Sequence, residues 1–305
     1  MPKQNLHLIH ADVIDGLKKV PDGSIDLVLS SPPYNLGKVY EIEQIMTLQE
    51  YTQWLEPVVD TLCKKLKETG SICWQVGNYV HKGQVVPLDV VFYSMFAERG
   101  MKLRNRIIWR YNFGLNATKR LSGRYETLLW FTKSDNYTFN LDSIRVPQLY
   151  PGKKHSSRKG AAMAGKPSGN PRGKNPSDFW TFSAMEHFFD EPVWDIPNVK
   201  ANHVEQTIHP CQFPHELAER CILAFTSKGD MVLDPFVGAG TTAVASLKLD
   251  RRCTGIDKSK EYIDICRDRV NSLSRGEIKL RKSGQKIKQP SLRESVARRP
   301  IEWEK

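Results

Sequence analysis

The amino-acid sequence predicts an α/β protein built on one mostly parallel, doubly wound sheet. Short apolar segments alternate with segments in helical periodicity, and this alternation fills two stretches, residues 6–133 and 209–273. A basic region with little aliphatic pattern separates the two stretches. Alternating strands and helices favour parallel strands joined by crossover helices. The 305 residues are enough to bury a large core.

The first stretch is predicted to contain five strands and three helices. Runs of aliphatic and aromatic residues indicate the strands, and apolar residues three and four positions apart indicate the helices. Gly70 and Gly100 follow the second and third helices and are typical of helix ends. In chain order the elements are strand Leu6–His10, helix Val13–Val20, strand Ile25–Leu29, helix Tyr51–Leu66, strand Ser71–Val76, helix Pro87–Arg99, and strands Arg106–Trp109 and Glu126–Phe131.

The second stretch continues the alternation with three helices and two strands. It begins and ends on a helix, and the same periodicities distinguish the two element types. The elements are helix Pro214–Thr226, strand Met231–Asp234, helix Gly240–Leu249, strand Arg252–Asp257 and helix Ser259–Leu273.

Composition divides the chain into four parts, with boundaries expected at residues 1–141, 142–200, 201–273 and 274–305. The first and third parts are the two halves of the α/β domain. The second is rich in Pro, Gly, Ser and Lys between Asp142 and Phe182, so it is expected to form a surface loop or small insertion without a core. The basic last part is expected to be a partly disordered tail.

The charge balance points to a polyanionic partner. Lys and Arg number 45 against 34 Asp and Glu, which gives a net charge of +11, a balance that favours nucleic acid. No apolar run is long enough to span a membrane, and the N-terminus lacks a secretory apolar region. The six cysteines form no C-x-x-C pair, which argues against a zinc cage or disulfide framework and for a reducing cytoplasm.

The segment Asp234–Thr242 follows a strand directly and opens a helix, with glycines at positions 238 and 240. A phosphate-binding P-loop would need a Lys that is absent here, whereas a dinucleotide-binding loop stays open because Ala243 matches its variant form. Asp257 ends the next strand, where a carboxylate can accept hydrogen bonds from ribose hydroxyls. Asp234 adds a second carboxylate, which suits a ligand with positive charge. S-adenosylmethionine carries a ribose, an ammonium and a sulfonium, and no phosphate.

A second motif, Ser31-Pro32-Pro33-Tyr34, also follows a hydrophobic strand. Prolines lack N–H donors and leave bare carbonyl acceptors, and the serine hydroxyl adds another acceptor. The tyrosine ring offers a stacking surface. Converging acceptors beside a flat ring suit a planar amine such as the amino group of a nucleobase. The alternative interpretation of the same sequence is a proline-rich turn with a packed tyrosine.

Together the two motifs resemble the β class of amino-group DNA methyltransferases of bacterial restriction–modification systems. In that permuted order the S-P-P-Y motif comes first, a target-recognition segment follows, and D-P-F-x-G-x-G-T-T comes last. The resemblance covers roughly residues 6–272 and includes three further segments, Arg124–Lys133, Val193–Pro197 and His209–Pro214. It implies a Rossmann-like, S-adenosylmethionine-dependent methyltransferase fold with a circularly permuted motif order and a basic target-recognition insertion.

The resemblance also assigns roles to individual residues. S-adenosyl-L-methionine is the implied cofactor, with Asp257 on its ribose and Asp12 on its adenine amino group, although Asp12 also fits a helix N-cap. Ser31 and Pro32 would accept hydrogen bonds from the target amine, and Tyr34 would stack on the base after it leaves the helix. No metal or covalent intermediate is required. The remaining cofactor-binding residues are expected to be Asp234, Phe236, Gly238, Gly240 and Thr241.

The basic insertion is expected to contact double-stranded DNA, since it occupies the position of the family's target-recognition segment. Asn170 and Arg172 would read base edges, while the lysines and Arg158 would neutralise phosphates. A solvated loop is the alternative interpretation. The residues expected to contact phosphates are Lys153, Lys154, Arg158, Lys159 and Lys174.

The serine of S-P-P-Y favours the 4-amino group of cytosine as target, because in this family D-P-P-Y leans to adenine. Adenine remains the alternative, and methylation of RNA or protein glutamine and a non-catalytic DNA-binding relative are weaker ones. We further expect that a cognate restriction endonuclease acts separately, that the protein is a monomer or homodimer, and that it is located in a bacterial or archaeal cytoplasm.

Overall fold

The computed structural model describes residues 5–34, 46–81, 83–111, 117–148, 150–156, 162–180, 199, 203–209 and 211–281. The strands are β1 (Leu6–His10), β2 (Ile25–Ser30), β3 (Leu66–Val76), β4 (Asn78–His81), β5 (Gln84–Pro87), β6 (Lys102–Arg110), β7 (Tyr125–Thr132), β8 (Phe179–Trp180), β9 (Met231–Asp234) and β10 (Arg252–Asp257). The helices are α1 (Val13–Leu17), α2 (Leu48–Lys65), α3 (Leu88–Ala97), α4 (His215–Phe225), α5 (Thr241–Lys248) and α6 (Lys260–Ser274).

Within these residues eight strands form one sheet in the order β1-β10-β9-β2-β3-β7-β6-β8. The first five are mutually parallel, β7 runs antiparallel to both β3 and β6, and β8 is parallel to β6. Strands β4 and β5 form a separate antiparallel pair. The predicted mostly parallel sheet is therefore confirmed.

Both faces of the sheet are covered by helices, as in a doubly wound fold. Alternate residues of β7 point to opposite faces. Leu129 and Phe131 join a core with α1, α2 and α3, whereas Leu128 and Trp130 join a core with α4. Helices α5 and α6 pack together over the β10 side of the sheet. No helix in the described part of the chain has the length and apolarity to cross a bilayer.

All of the predicted strands and helices are present, and β1, β9 and β10 have the predicted bounds. The largest shift is at β3, which begins at Leu66 rather than at Ser71. Helix α2 begins three residues early, at Leu48, because Thr47 forms a capping box with Glu50. The β4–β5 hairpin was not predicted. Its four-residue strands contain too few apolar positions to reveal their period.

The prediction that the basic segment has no core residues is wrong at its first end, and its other end joins the sheet. Near the first end, Ile144 and Val146 are buried, and Val146 forms a β-bridge with Lys174. At the other end, β8 pairs with β6. Isolated apolar residues carry no periodicity, yet the edge strand β6 offers unpaired backbone groups that a short segment can use.

The described start of the C-terminal part packs on the domain. Ile278 and Leu280 contact the cluster under α5 and α6, and the backbone N–H of Arg281 donates to Glu205. Residues 282–305, for which disorder was expected, lie outside the described residues. The four domain boundaries remain predictions.

The topology marks one place in the sheet as the ligand-binding crevice. From β9 the chain crosses through α5 to β10 on one side, and from β2 it crosses through α2 to β3 on the other. The adjacent strands β9 and β2 therefore form a topological switch point, and open α/β sheets bind ligands beyond the carboxyl ends of strands at such a point. Both sequence motifs begin there.

Candidate active site

The glycine loop between β9 and α5 has a backbone that only glycine accommodates at two positions. Gly238 has φ of 46° and Gly240 has φ of 80°, both in the left-handed region. A Cβ on Gly240 would lie 2.3 Å from Cys266 Sγ, and one on Gly238 would lie 2.9 Å from His209 Nε2. The loop is thus held close to both Cys266 and His209.

Asp257 connects the end of β10 to this loop. Its carboxylate accepts hydrogen bonds from Gly238 N at 3.0 Å and from Ser259 N at 2.8 Å. Burial raises the pKa of this carboxyl, while the two backbone hydrogen bonds oppose the shift. The structure therefore brings Asp257 and Gly238 together, as their shared assignment to one ligand requires.

Asp234 lies at the base of the loop and is fully buried. Its Oδ1 accepts from Ser30 Oγ at 2.6 Å and from Phe236 N at 3.1 Å. Burial raises its pKa to about 6, although the hydrogen bonds from Ser30, Thr242 and Phe236 act in the opposite direction. Sequence reasoning missed Ser30; its only signal was its position between a buried strand and Ser31.

These features fit S-adenosyl-L-methionine. In the part of the chain that the structure describes, neither Asp234 nor Asp257 forms an ion pair with Lys or Arg, although both are largely buried. Buried carboxylates that form no ion pair within the protein suit a ligand that brings its own positive charge. The glycine loop at the start of α5 provides close backbone approach for such a ligand. When bound, the cofactor supplies an electrophilic sulfonium methyl group.

Asp12 and Thr241 each lie at the start of a helix, α1 and α5 respectively. Asp12 follows β1, beside Asp257, and its Oδ1 accepts from Ile14 N at 3.0 Å as the N-cap of α1. The N-cap interpretation is therefore confirmed, and a contact with adenine remains a prediction. Thr241 is buried, with its Oγ1 3.4 Å from the guanidinium of Arg269.

Two further side chains border the loop. Phe236 packs against the rings of Trp54 and Trp74, with centroids 6.1 and 6.2 Å away. His209 packs on the ring of Tyr262 at 4.6 Å, and burial lowers its pKa to about 4. His209 is thus a neutral wall of the loop, a role that its position in the family-like segment did not specify.

The Ser31–Tyr34 segment leaves β2 toward β3 and β7. Ser31 Oγ donates to Tyr34 Oη at 2.8 Å, and Tyr51 Oη donates to the carbonyl of Pro33 at 2.6 Å. Tyr34 is 8% exposed, so its ring lies inside the site rather than on its surface. Its stacking on a target base remains a prediction, as does the acceptor role of Pro32.

Sequence reasoning missed two polar residues that contact Tyr34, namely Gln75 and Glu126. Glu126 Oε2 accepts from Tyr34 Oη at 3.2 Å and from Gln75 Nε2 at 2.5 Å. Tyr111 Oη lies 3.5 Å from Glu126 Oε1. Burial, with the Glu126 carboxylate as second cause, holds the pKa of Tyr34 well above its usual range. A polar residue at the start of an apolar strand was the signal for Glu126.

The basic segment carries part of the predicted DNA-binding set. Lys153 and Lys154 are exposed, and the guanidinium of Arg172 pairs with Asp142 at 2.6 Å. Asn170 Oδ1 accepts from Arg172 N at 2.9 Å and shapes a turn. Arg158 and Lys159 lie outside the described residues. Among those described, no group of three or more His, Cys, Asp or Glu could hold a metal ion.

The fold and the site together define an S-adenosyl-L-methionine-dependent methyltransferase of Rossmann-like architecture. A DNA methylase family that covers N6 and N4 enzymes matches residues 25–268, so the chain belongs to this family. It is 45% identical over 266 residues to the type II methyltransferase M.BglII of Bacillus subtilis, covering 87% of this chain and 69% of the relative.

Solved structures share the fold. The PvuII DNA methyltransferase, described as cytosine-N4-specific, matches with a TM-score of 0.63 at 21% identity, over 86% of this chain and 85% of the other. A DNA modification methylase from Thermus thermophilus in complex with S-adenosyl-L-methionine matches with a TM-score of 0.58 at 24% identity, over 89% and 94%. The chain is a DNA amino-methyltransferase of the restriction–modification type.

Proposed function

We propose that this enzyme methylates the 4-amino group of cytosine at a specific site in double-stranded DNA and thereby protects that site from a separate restriction endonuclease. The observation that carries the choice of base is Ser31, because S-P-P-Y leans to cytosine in this family and D-P-P-Y leans to adenine. In support of this choice, Ser31 directly follows β2 at the switch point, and its neighbour Ser30 contacts Asp234 at the base of the glycine loop.

The amino group of a nucleobase is a weak nucleophile because its lone pair is delocalised into the ring. Hydrogen bonds from its two N–H groups to Ser31 Oγ and the Pro32 carbonyl would favour tetrahedral geometry and direct the lone pair toward the methyl group. Asp234, Asp257 and the glycine loop would hold the donor molecule in line. Positioning and electrostatics supply most of the rate in such a site.

DNA is expected to bind along the face that carries the basic segment. Lys153 and Lys154 would neutralise phosphates, with Arg158, Lys159 and Lys174 extending the same surface. Arg172 pairs with Asp142 through exposed side chains, and such exposed pairs are weak enough to be exchanged for a base edge. Asn170 would then orient that arginine through the turn that it forms.

The 6-amino group of adenine is the second candidate. The family that matches this chain covers both N6 and N4 enzymes. Both amines also present two N–H donors, so the same pair of acceptors would serve either base.

Expression in cells without endogenous DNA methylation, followed by single-molecule sequencing of their DNA, tests this proposal. We expect N4-methylcytosine at one recognition sequence, and its absence in cells that express Ser31→Ala. N6-methyladenine at one sequence would overturn the choice of base, and unmodified DNA with folded wild-type protein would overturn the proposed function. Three other expectations also remain predictions: that a separate nuclease exists, that the protein is a monomer or homodimer, and that it is located in the cytoplasm.

A further inference from the structure

Glu126 ends a chain of hydrogen bonds that begins at Ser31. Ser31 Oγ donates to Tyr34 Oη at 2.8 Å, and Tyr34 Oη donates to Glu126 Oε2 at 3.2 Å. An ionised carboxylate only accepts hydrogen bonds, whereas a phenol has a single proton to give. The Gln75 carbonyl is a second acceptor for this proton at 3.5 Å, but the Glu126 carboxylate is both nearer and charged. Tyr34 therefore directs its proton to Glu126, and its oxygen is left to accept from Ser31.

The direction of this chain determines what Ser31 can do. A serine hydroxyl donates one hydrogen bond and accepts through its lone pairs. With its proton directed to Tyr34, Ser31 Oγ presents only lone pairs to the crevice. It can therefore accept from an N–H group, and it has no proton to offer to a carbonyl oxygen.

The surroundings of Glu126 keep the chain in this direction. Gln75 Nε2 donates to the same carboxylate oxygen at 2.5 Å. Charge-assisted hydrogen bonds to an anion are stronger than neutral ones, so the carboxylate is the preferred end of the chain. Burial raises the pKa of Tyr34 well above its usual range, and the phenol therefore keeps its proton.

The topology places Glu126 at the edge of the sheet where the parallel strands have their carboxyl ends, which is the edge that carries Ser31. Because β7 runs antiparallel to β3, its first residues lie beside the carboxyl end of β3. Glu126 is thus 92 positions from Tyr34 in sequence and in direct contact with it.

We propose that Glu126 is a positioning residue that fixes the hydrogen-bond direction of Ser31 and so selects a target base with an amino group over the matching base with a carbonyl. The matching pairs are cytosine and uracil, and adenine and hypoxanthine. This inference rests on the proposed function, since it concerns the base that enters the same site.

The test compares Glu126→Gln with wild type on a duplex containing the modified site. An amide can donate to Tyr34, which allows the chain to reverse and gives Ser31 a proton for a carbonyl. Wild type is expected to prefer the amino base over its carbonyl counterpart by about tenfold in competition binding, the scale of one hydrogen bond. In Glu126→Gln this preference falls to about twofold or less, and kcat falls by about tenfold, while cofactor affinity is retained.

Three further variants separate positioning from general damage. Tyr34→Phe interrupts the chain and should lose the same preference, which covers the case in which Glu126→Gln does not fold. Tyr111→Phe removes a hydroxyl near the same carboxylate without touching Ser31, and it should keep the amino-over-carbonyl preference. In a Ser31→Ala background, Glu126→Gln should lower kcat no further, because residues that act through one another are not additive.

An unchanged amino-over-carbonyl preference in folded Glu126→Gln, or additive losses with Ser31→Ala, would overturn the role of Glu126. Failure of wild type to methylate any DNA contradicts the proposed function instead. The two failures are therefore distinguishable, since the comparison uses a duplex that wild type has been shown to modify.

Discussion

The glycine loop and the Ser31–Tyr34 segment lie side by side, yet they are built in different ways. The loop owes its shape to its own backbone, with Gly238 and Gly240 in left-handed conformations and closely packed. The Ser31–Tyr34 segment instead depends on distant strands, since Tyr34 meets Gln75 and Glu126 across 41 and 92 positions. Ser30 joins the two by donating to Asp234 at 2.6 Å.

This difference predicts different consequences for substitutions. Changes in the glycine loop should act on folding and cofactor affinity, because they alter the backbone conformation and the environment of buried carboxylates. Changes in the Ser31–Tyr34 segment should act on the methyl-transfer step, because its hydrogen bonds serve the reacting amine. Variants of neighbouring residues can test the separation.

The largest effect is expected for Ser31→Ala. Losing one preorganised hydrogen bond to the reacting group should slow methyl transfer by about 10²–10³-fold. Single-turnover transfer from tritiated S-adenosyl-L-methionine measures this rate. The matched control is Ser30→Ala, which should weaken cofactor affinity through Asp234 and leave the transfer step faster than in Ser31→Ala. Equal transfer rates in the two variants would remove the distinction between the two ends of the site.

Gly240→Ala should destabilise the protein by about 2–4 kcal/mol, from the left-handed backbone and the contact of the new Cβ with Cys266. Gly83 has a similar φ of 84°, but a Cβ there meets nothing within 4 Å. Gly83→Ala should therefore cost only the backbone strain, about 1–2 kcal/mol. Urea unfolding of both variants checks the difference, and equal losses would show that packing against Cys266 contributes nothing.

The pKa of Asp234 predicts a pH dependence of stability. Its folded-state pKa of about 6 lies above the ordinary value of 3.8, so folding favours the protonated form. The contribution is fully present below about pH 4 and is lost as pH rises to about 6, at a cost of ~3 kcal/mol. A bound cofactor ammonium should offset part of this loss. Urea unfolding between pH 4 and 7 with and without S-adenosyl-L-methionine measures it, and Asp234→Asn should lack this component.

Asp257→Ala should weaken binding of S-adenosyl-L-methionine by about 1–3 kcal/mol, the range for hydrogen bonds to a charged group. The loss combines the ribose contact with the released Gly238 N–H. Calorimetry measures the cofactor affinity, and a filter-binding assay should find DNA affinity nearly intact. An unchanged cofactor affinity would exclude Asp257 from the site.

The smallest effect concerns the DNA-binding surface. Replacing Lys153 and Lys154 with Gln should weaken binding to all DNA sequences and reduce the slope of log affinity against log salt by about 2. Lys18 and Lys228 are exposed lysines that precede β2 and β9, at the amino ends of the strands whose carboxyl ends lead into the two motifs. Their double replacement carries the same charge change and should leave the slope unchanged. Equal slopes in the two variants would contradict a role for the basic segment.

The sequence by itself determined the order of strands and helices, the two motifs and the family. Hydrophobic periodicity and helix-end residues are local signals, so β1, β9 and β10 were predicted at their observed bounds. The glycines at positions 238 and 240 also predicted a loop whose backbone can approach a ligand closely.

Only the tertiary structure decided which polar residues meet. The pairing of Ser30 with Asp234 spans 204 positions, and that of Tyr34 with Glu126 spans 92. Such contacts depend on strand order and register, which periodicity does not encode. The same reason explains the missed strand β8, because two residues have no detectable period and become a strand only beside β6.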